Sequence, residues 1–78
     1  MELAQLRTLI HVAELGSLSR AAERLGIAQP ALSRQIRLLE AELGAPLFVR
    51  HGRGMVPTDL GRRILEPAGG VLSSLEEI

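Results

Sequence analysis

The chain is 78 residues long, enough for one domain with a single small core to which every helix must contribute a face. Hydrophobic residues make up 46% of it, too many for a disordered tail, yet Phe48 is the sole aromatic, so the core has to be aliphatic and alanine-rich. No cysteine is present, which excludes a disulfide scaffold, thiolate-bound zinc and a cysteine nucleophile, while the zero net charge hides an uneven layout of nine basic and nine acidic residues.

From Arg20 to Arg63 there are eight arginines against four acids, Glu23, Glu40, Glu42 and Asp59, a surplus of four positive charges. The ends compensate, with Glu2 and Glu14 before this stretch and Glu66, Glu76 and Glu77 after it. Every basic residue is arginine. Its planar fork suits phosphates and guanine edges, although the bias is equally consistent with a GC-rich genome. No apolar run approaches the roughly 20 residues of a membrane span, and the N-terminus lacks the basic start and apolar core of a signal peptide. A cytoplasmic protein with no membrane partner is expected.

Residues 2 to 15 read as a first helix with Leu6, Leu9, Ile10 and Ala13 on one stripe, stopped by Gly16. Leu3 and Val12 widen its apolar surface, which predicts packing on more than one partner, the C-terminal helix among them. His11 has no second histidine or acid at metal-ligand spacing and is expected to face solvent.

Two helices separated by a tight turn follow between Ser17 and Leu43. Ser17 suits the N-cap of the first, which begins at Leu18 and aligns Leu18, Ala21, Ala22 and Leu25. Gly26 ends it and Pro30 marks the start of the next, whose apolar stripe is Leu32, Ile36, Leu39 and Leu43. The N-terminus of the helix from Leu18 carries partial positive charge and free amides, so Ser19 and Arg20 are candidates for a DNA phosphate. Arg24 is equally consistent with a phosphate contact and with a solvated surface.

The other face of the third helix presents Ala31, Ser33, Arg34 and Arg37, with Gln29 at its mouth. Glutamine can bond adenine bidentately, arginine can bond guanine, serine suits base or phosphate, and alanine can meet a thymine methyl. These residues occupy the N-terminal part of the second helix of the pair, the part that enters the major groove in a helix-turn-helix, and the helix turns acidic at Glu40 and Glu42 where it would leave the DNA.

Pro46 to Arg50 and Met55 to Pro57 are short apolar runs on either side of Gly52, Arg53 and Gly54, the pattern of a small two-stranded hairpin with an exposed arginine at its tip. Such a wing places Arg53 where a narrow A·T-rich minor groove concentrates negative potential. Thr58 resembles an N-cap and Asp59 a first-turn acid, so a fourth helix is predicted from Asp59 to the end, with Leu60, Ile64, Leu65 or Ala68, Leu72 and Leu75 as its stripe. Pro67, Gly69 and Gly70 fall inside it, at costs of about 3 kcal/mol for the proline and about 1 for each glycine. A kink at Pro67 with a close helix-helix contact at the glycines, most simply in a dimer, would offset this. The competing reading is a helix that breaks near Pro67 and leaves a loose tail.

The run AAERLGIAQPALSRQIRLLEAELGAPLFVR, the Gly-Arg-Gly tip and PTDLG together resemble the DNA-binding domain of the LysR-type transcriptional regulators, nearly end to end. Ala21, Ala22, Gln29-Pro30, Ser33-Arg34, Ile36, Leu39-Glu40, Leu43-Gly44, Leu47-Phe48, Arg50, Thr58 and Gly61 stand where that family's pattern puts them. The resemblance implies a mainly α fold, a winged helix-turn-helix of three helices plus a two-stranded wing over residues 1–58, followed by a long C-terminal linker and dimerisation helix over 59–78. It implies that Gln29, Pro30, Ala31, Ser33 and Arg34 meet bases or adjacent phosphates and that Arg53 enters the minor groove; Ser19, Arg20, Arg37 and Arg50 are the remaining candidate DNA contacts. It further implies a homodimer through the last helix, a tetramer in the full-length protein, and a small-molecule effector bound only by a C-terminal domain absent here, so that the chain is a fragment.

The expected function is sequence-specific binding of double-stranded promoter DNA, with no cofactor and no metal. An enzyme is disfavoured, because His, Asp, Glu and Ser form no nucleophile-base pair and the chain is too small to enclose a pocket. The alternative is a winged-helix module serving protein-protein contacts alone, since this fold hosts both uses.

Overall fold

A computed structural model describes residues 1–52 and 54–77; Arg53, Ile78 and the side chain of Leu72 lie outside the described residues. The elements follow in the order α1 (Leu3–Leu15), α2 (Leu18–Leu25), α3 (Gln29–Leu43), β1 (Phe48–His51), β2 (Gly54–Pro57) and α4 (Asp59–Glu76). This is the winged helix-turn-helix with a trailing helix that the sequence predicts.

The helix ends are set by local chemistry. The Gln5 side chain accepts the Glu2 N–H at 2.7 Å and opens α1. The Ser17 hydroxyl accepts the Arg20 N–H at 3.2 Å and caps α2, and the Thr58 hydroxyl accepts the Gly61 N–H at 3.1 Å and caps α4. Pro30 occupies the first turn of α3, where its missing N–H costs nothing. Between α2 and α3 the chain reverses at Gly26, whose φ of 70° lies in the left-handed region that disfavours side chains, and the Ile27 N–H returns to the Ala22 carbonyl at 3.0 Å. That reversal carries Ile27 back onto the core.

The core is aliphatic, as composition requires: Leu9 and Val12 of α1, Ala21 and Ala22 of α2, Leu32, Ile36 and Leu39 of α3, and Leu47 and Phe48 at the start of the hairpin. Ala21 and Ala22 are small enough for α2 to lie close against its neighbours, and both are buried. The first helix packs against both α2 and α4. Leu60, Ile64 and Leu65 bring the first half of α4 onto the same cluster.

Several residues depart from their predicted places. Leu43 is exposed, because the chain turns back at Ala45, whose N–H meets the Glu40 carbonyl at 3.2 Å, and so covers α3 only as far as the Glu40 turn. Leu3 and Leu75 are exposed as well. Pro46 and Leu47 precede the strand, and Gly54 belongs to β2, pairing with His51, so the tip is shorter than the glycine spacing suggests. The fourth helix runs unbroken through Pro67 to Glu76. Pro67 is exposed, which leaves water free to satisfy the carbonyl that its ring deprives of a partner. A Cβ at Gly69 or Gly70 would meet nothing within 4 Å among the described residues.

Two glycines are dictated by close approach. A Cβ on Gly54 would stand 2.9 Å from the Gly16 carbonyl oxygen, beside the point where the Met55 N–H donates to that same oxygen at 2.9 Å. A Cβ on Gly61 would overlap the Leu47 carbonyl oxygen. The neighbour in each case is backbone and cannot swing away. Gly61→Ala is expected to destabilise the chain by about 1 to 3 kcal/mol, measured by chemical denaturation, and a variant as stable as the parent would show that α4 does not sit this close to the hairpin.

Candidate nucleic-acid interface

The burial of Leu32, Ile36 and Leu39 decides which side of α3 remains open. Residues four apart share a helix face, so Gln29, Ser33 and Arg37 form one row and Pro30 and Arg34 the next. Gln29, Pro30, Arg34 and Arg37 are exposed, and Ala31 and Ser33 are half-buried. Of the predicted readers on this helix, four are thus open to solvent and two are partly covered.

The structure brings residues of three elements to the mouth of this helix. Ser17, Leu18 and Ser19 at the start of α2, Gln29 at the start of α3, and Arg50, Gly54 and Met55 of the hairpin line one small cavity of about 120 Å³. The Ser17 and Ser19 hydroxyls are 3.3 Å apart. The hairpin is held here by the Met55 bond to the Gly16 carbonyl, which ties β2 to the corner between α1 and α2. Residues able to supply donors thus line one cavity: the start of α2, Gln29 and Arg50. N–H groups of this kind match a phosphate oxygen. Arg20 is exposed on the first turn of α2, with its backbone N–H occupied by Ser17. Arg53 lies outside the described residues.

The electrostatics of this side are uncompensated. Among the described residues the ion pairs are Arg24 with Glu14 and Arg62 with Asp59. Arg20, Arg34, Arg37 and Arg50 have no carboxylate partner among them, so their charge is available to an anion from outside.

Arg24 is spent elsewhere, a role that its spacing does not announce. Its Nη1 donates to the Glu14 carboxylate at 2.9 Å and lies 3.2 Å from Nδ1 of His11. This clamp joins the end of α2 to α1 across thirteen residues of sequence. It also corrects the expectation for His11, which is half-buried and hydrogen-bonded instead of facing solvent alone. Glu40 differs from expectation too: its carboxylate accepts the Leu47 N–H at 2.6 Å, so it is engaged with the hairpin as well as marking the acidic end of α3. Among the described residues, no group of three or more His, Asp or Glu stands where it could hold a metal ion, and no helix is long and apolar enough to cross a membrane.

Residues 3–62 match the bacterial regulatory helix-turn-helix protein family of the lysR type. The chain is 49% identical over its full 78 residues to the HTH-type transcriptional regulator AbaB of Streptomyces antibioticus, of which it covers 26%. It is 46% identical, again over its full length, to the small neutral protease regulatory protein of Streptomyces coelicolor, covering 24% of it. The chain thus spans about a quarter of the length of these curated relatives. Among solved structures, it resembles the BenM DBD in complex with benA site 1 DNA at a TM-score of 0.89 and 43% identity, over 99% of this chain and 90% of that one. It resembles the CbnR DBD in complex with DNA at a TM-score of 0.85 and 42% identity, over 99% and 88% of the two chains.

Arg24→Ala is expected to lower the unfolding free energy by less than about 1 kcal/mol in urea denaturation, because both partners of the ion pair are about half exposed to solvent. A loss well beyond that would make the clamp a principal tie between α1 and α2.

Proposed function

The chain belongs to the LysR family of bacterial regulatory helix-turn-helix proteins, and from that premise we propose that it is the sequence-specific DNA-binding part of a transcription regulator. The observation that carries this reading is the open side of α3: four arginines without carboxylate partners among the described residues, on and beside a helix whose Leu32, Ile36 and Leu39 are buried in the core. The first turns of α3 enter the major groove, where Gln29 and Arg34 read base edges and Ala31 and Ser33 meet a methyl group or an adjacent phosphate. Pro30 fixes the start of the helix against the backbone. Arg37, a turn further on, binds phosphate. Ser19, Arg20 and Arg50 grip the phosphates flanking the groove, and Arg53 reaches from the wing into the minor groove. The mechanism is binding, with no chemical step.

Residues 59–78 serve as the linker and dimerisation helix, distinct in function from the reading domain of residues 1–58. The second half of α4 supports this, since Val71 and Leu75 are exposed and a Cβ at Gly69 or Gly70 would meet nothing within 4 Å among the described residues. An apolar groove of about 250 Å³ between α1 and α4, lined by Ile10, Ala13, Leu65 and Gly69 among others, offers a seat for a second copy. In the whole protein, two such dimers form a tetramer and a small-molecule effector acts through a further domain, in the cytoplasm where the DNA lies.

Binding to duplex DNA must weaken as salt rises, because each neutralised phosphate releases counterions. Arg34→Ala is expected to cost about 1 to 3 kcal/mol and to relax sequence preference, whereas Arg37→Ala weakens all sequences nearly alike. An unchanged ranking of sequences in the Arg34 variant removes it from the readers. Affinity independent of salt would point instead to a module for protein contacts. Sedimentation of the chain is expected to show a two-chain species, and a monomer at high concentration would defeat dimerisation through α4.

A further inference from the structure

The residues just before the wing form a junction between three elements. The Leu47 N–H donates to the Glu40 carboxylate of α3 at 2.6 Å, and the Phe48 N–H lies 3.5 Å from the same oxygen. On the other side, the Leu47 carbonyl accepts the Thr58 N–H at 3.0 Å, and the Thr58 hydroxyl donates to the Pro46 carbonyl at 2.7 Å while accepting the Gly61 N–H at 3.1 Å. The side chains of Leu47 and Phe48 are 1% and 5% exposed, so this segment cannot slide without uncovering the core. One carboxylate on α3 therefore sets where β1 begins, and the carbonyls of Pro46 and Leu47 hold Thr58, where α4 begins.

Glu40 has no basic partner among the described residues. Its charge is met by backbone amides, and such charge-assisted bonds are shorter and stronger than neutral ones. A carboxylate on a helix whose open face is basic works against a polyanion unless it does something else. Arg50 lies two residues past Phe48, about 7 Å along the strand, so any movement at the junction is carried to the arginine.

We propose that Glu40 is a positioning residue for DNA binding: without touching DNA, it holds the wing at a set distance from the reading face of α3. The proposal rests on the DNA-binding reading above. It separates two properties of one helix, the reading of the half-site by residues 29–34 and the placement of the wing by residue 40.

Glu40→Ala removes the acceptor, Glu40→Gln keeps an acceptor oxygen at the same reach, and Glu40→Asp keeps the charge but shortens the reach. The first readout needs no DNA. Amide hydrogen exchange at Leu47 and Phe48 is expected to quicken on the order of tenfold in Glu40→Ala and far less in Glu40→Gln. Equal exchange in all variants overturns the junction. The second readout is binding to duplexes sharing one half-site but differing in A·T-rich or G·C-rich flanks. Glu40→Ala is expected to lose affinity on the order of fivefold on A·T-rich flanks, with the ranking of half-sites unchanged and most of the loss recovered by Glu40→Gln. A uniform loss on every duplex, following thermal stability, would make Glu40 merely structural and overturn the proposal. If Glu40→Ala fails to fold, the comparison passes to Glu40→Asp, expected to lose flank preference, against Glu40→Gln, expected to keep it; the same flank preference in both overturns the proposal. A parent chain that binds no duplex defeats the DNA reading itself, while exchange still decides whether the junction exists.

Discussion

The buried stripe of α3 is the constraint on which the rest depends. A helix of fifteen residues must be held from behind by Leu32, Ile36 and Leu39 if its front is to stay free of the protein's own atoms. With a single aromatic in the chain, that hold comes from many small aliphatic contacts, and these require close approach. Ala21 and Ala22 allow α2 to lie close to its neighbours, and Leu9 and Val12 of α1 belong to the same buried cluster. A larger side chain at either alanine would push α2 away from α3 and tilt the open face along with it.

The hairpin shows a second use of proximity. It has only four residues in each strand, far too little to be stable alone, and it borrows order from backbone contacts at both ends. Met55 is tied to Gly16, and Leu47 is bracketed by Glu40 and Thr58. Positions without side chains at Gly54 and Gly61 are what allow these backbones to come so near.

Much of the fold was legible because its signals are local. Ser17 and Thr58 cap where their hydroxyls predict, Gly26 reverses the chain, and the spacing of Leu32, Ile36 and Leu39 identifies the buried face correctly. The exposure of the candidate site residues was legible for the same reason: Gln29, Arg34 and Arg37 are open while Leu32 and Ile36 are buried. What could not be read are contacts between residues distant in sequence. Nothing in the spacing shows that Arg24 meets Glu14 and His11, or that Glu40 turns to the Leu47 amide, and each of these looks like an ordinary solvated charge until the helices are packed. Leu43 failed for the related reason that periodicity does not say where a neighbour stops. The placement of Arg50 beside Ser19 and Gln29 likewise depends on a hairpin whose seat is set by backbone, which leaves no periodic trace.

The zero net charge has a consequence beyond solubility. Unpartnered arginines gather around the mouth of α3, whereas Glu66, Glu76 and Glu77 sit along α4, and Glu76 lines a separate groove against α1. A body with no net charge feels no overall pull in the field of a polyanion, but one with separated charges feels a torque. The effect acts over about a Debye length, roughly 8 Å at physiological salt, a distance comparable with the separation of neighbouring helices. For these 78 residues, then, the layout of charge and not its sum decides the response to a nearby anion.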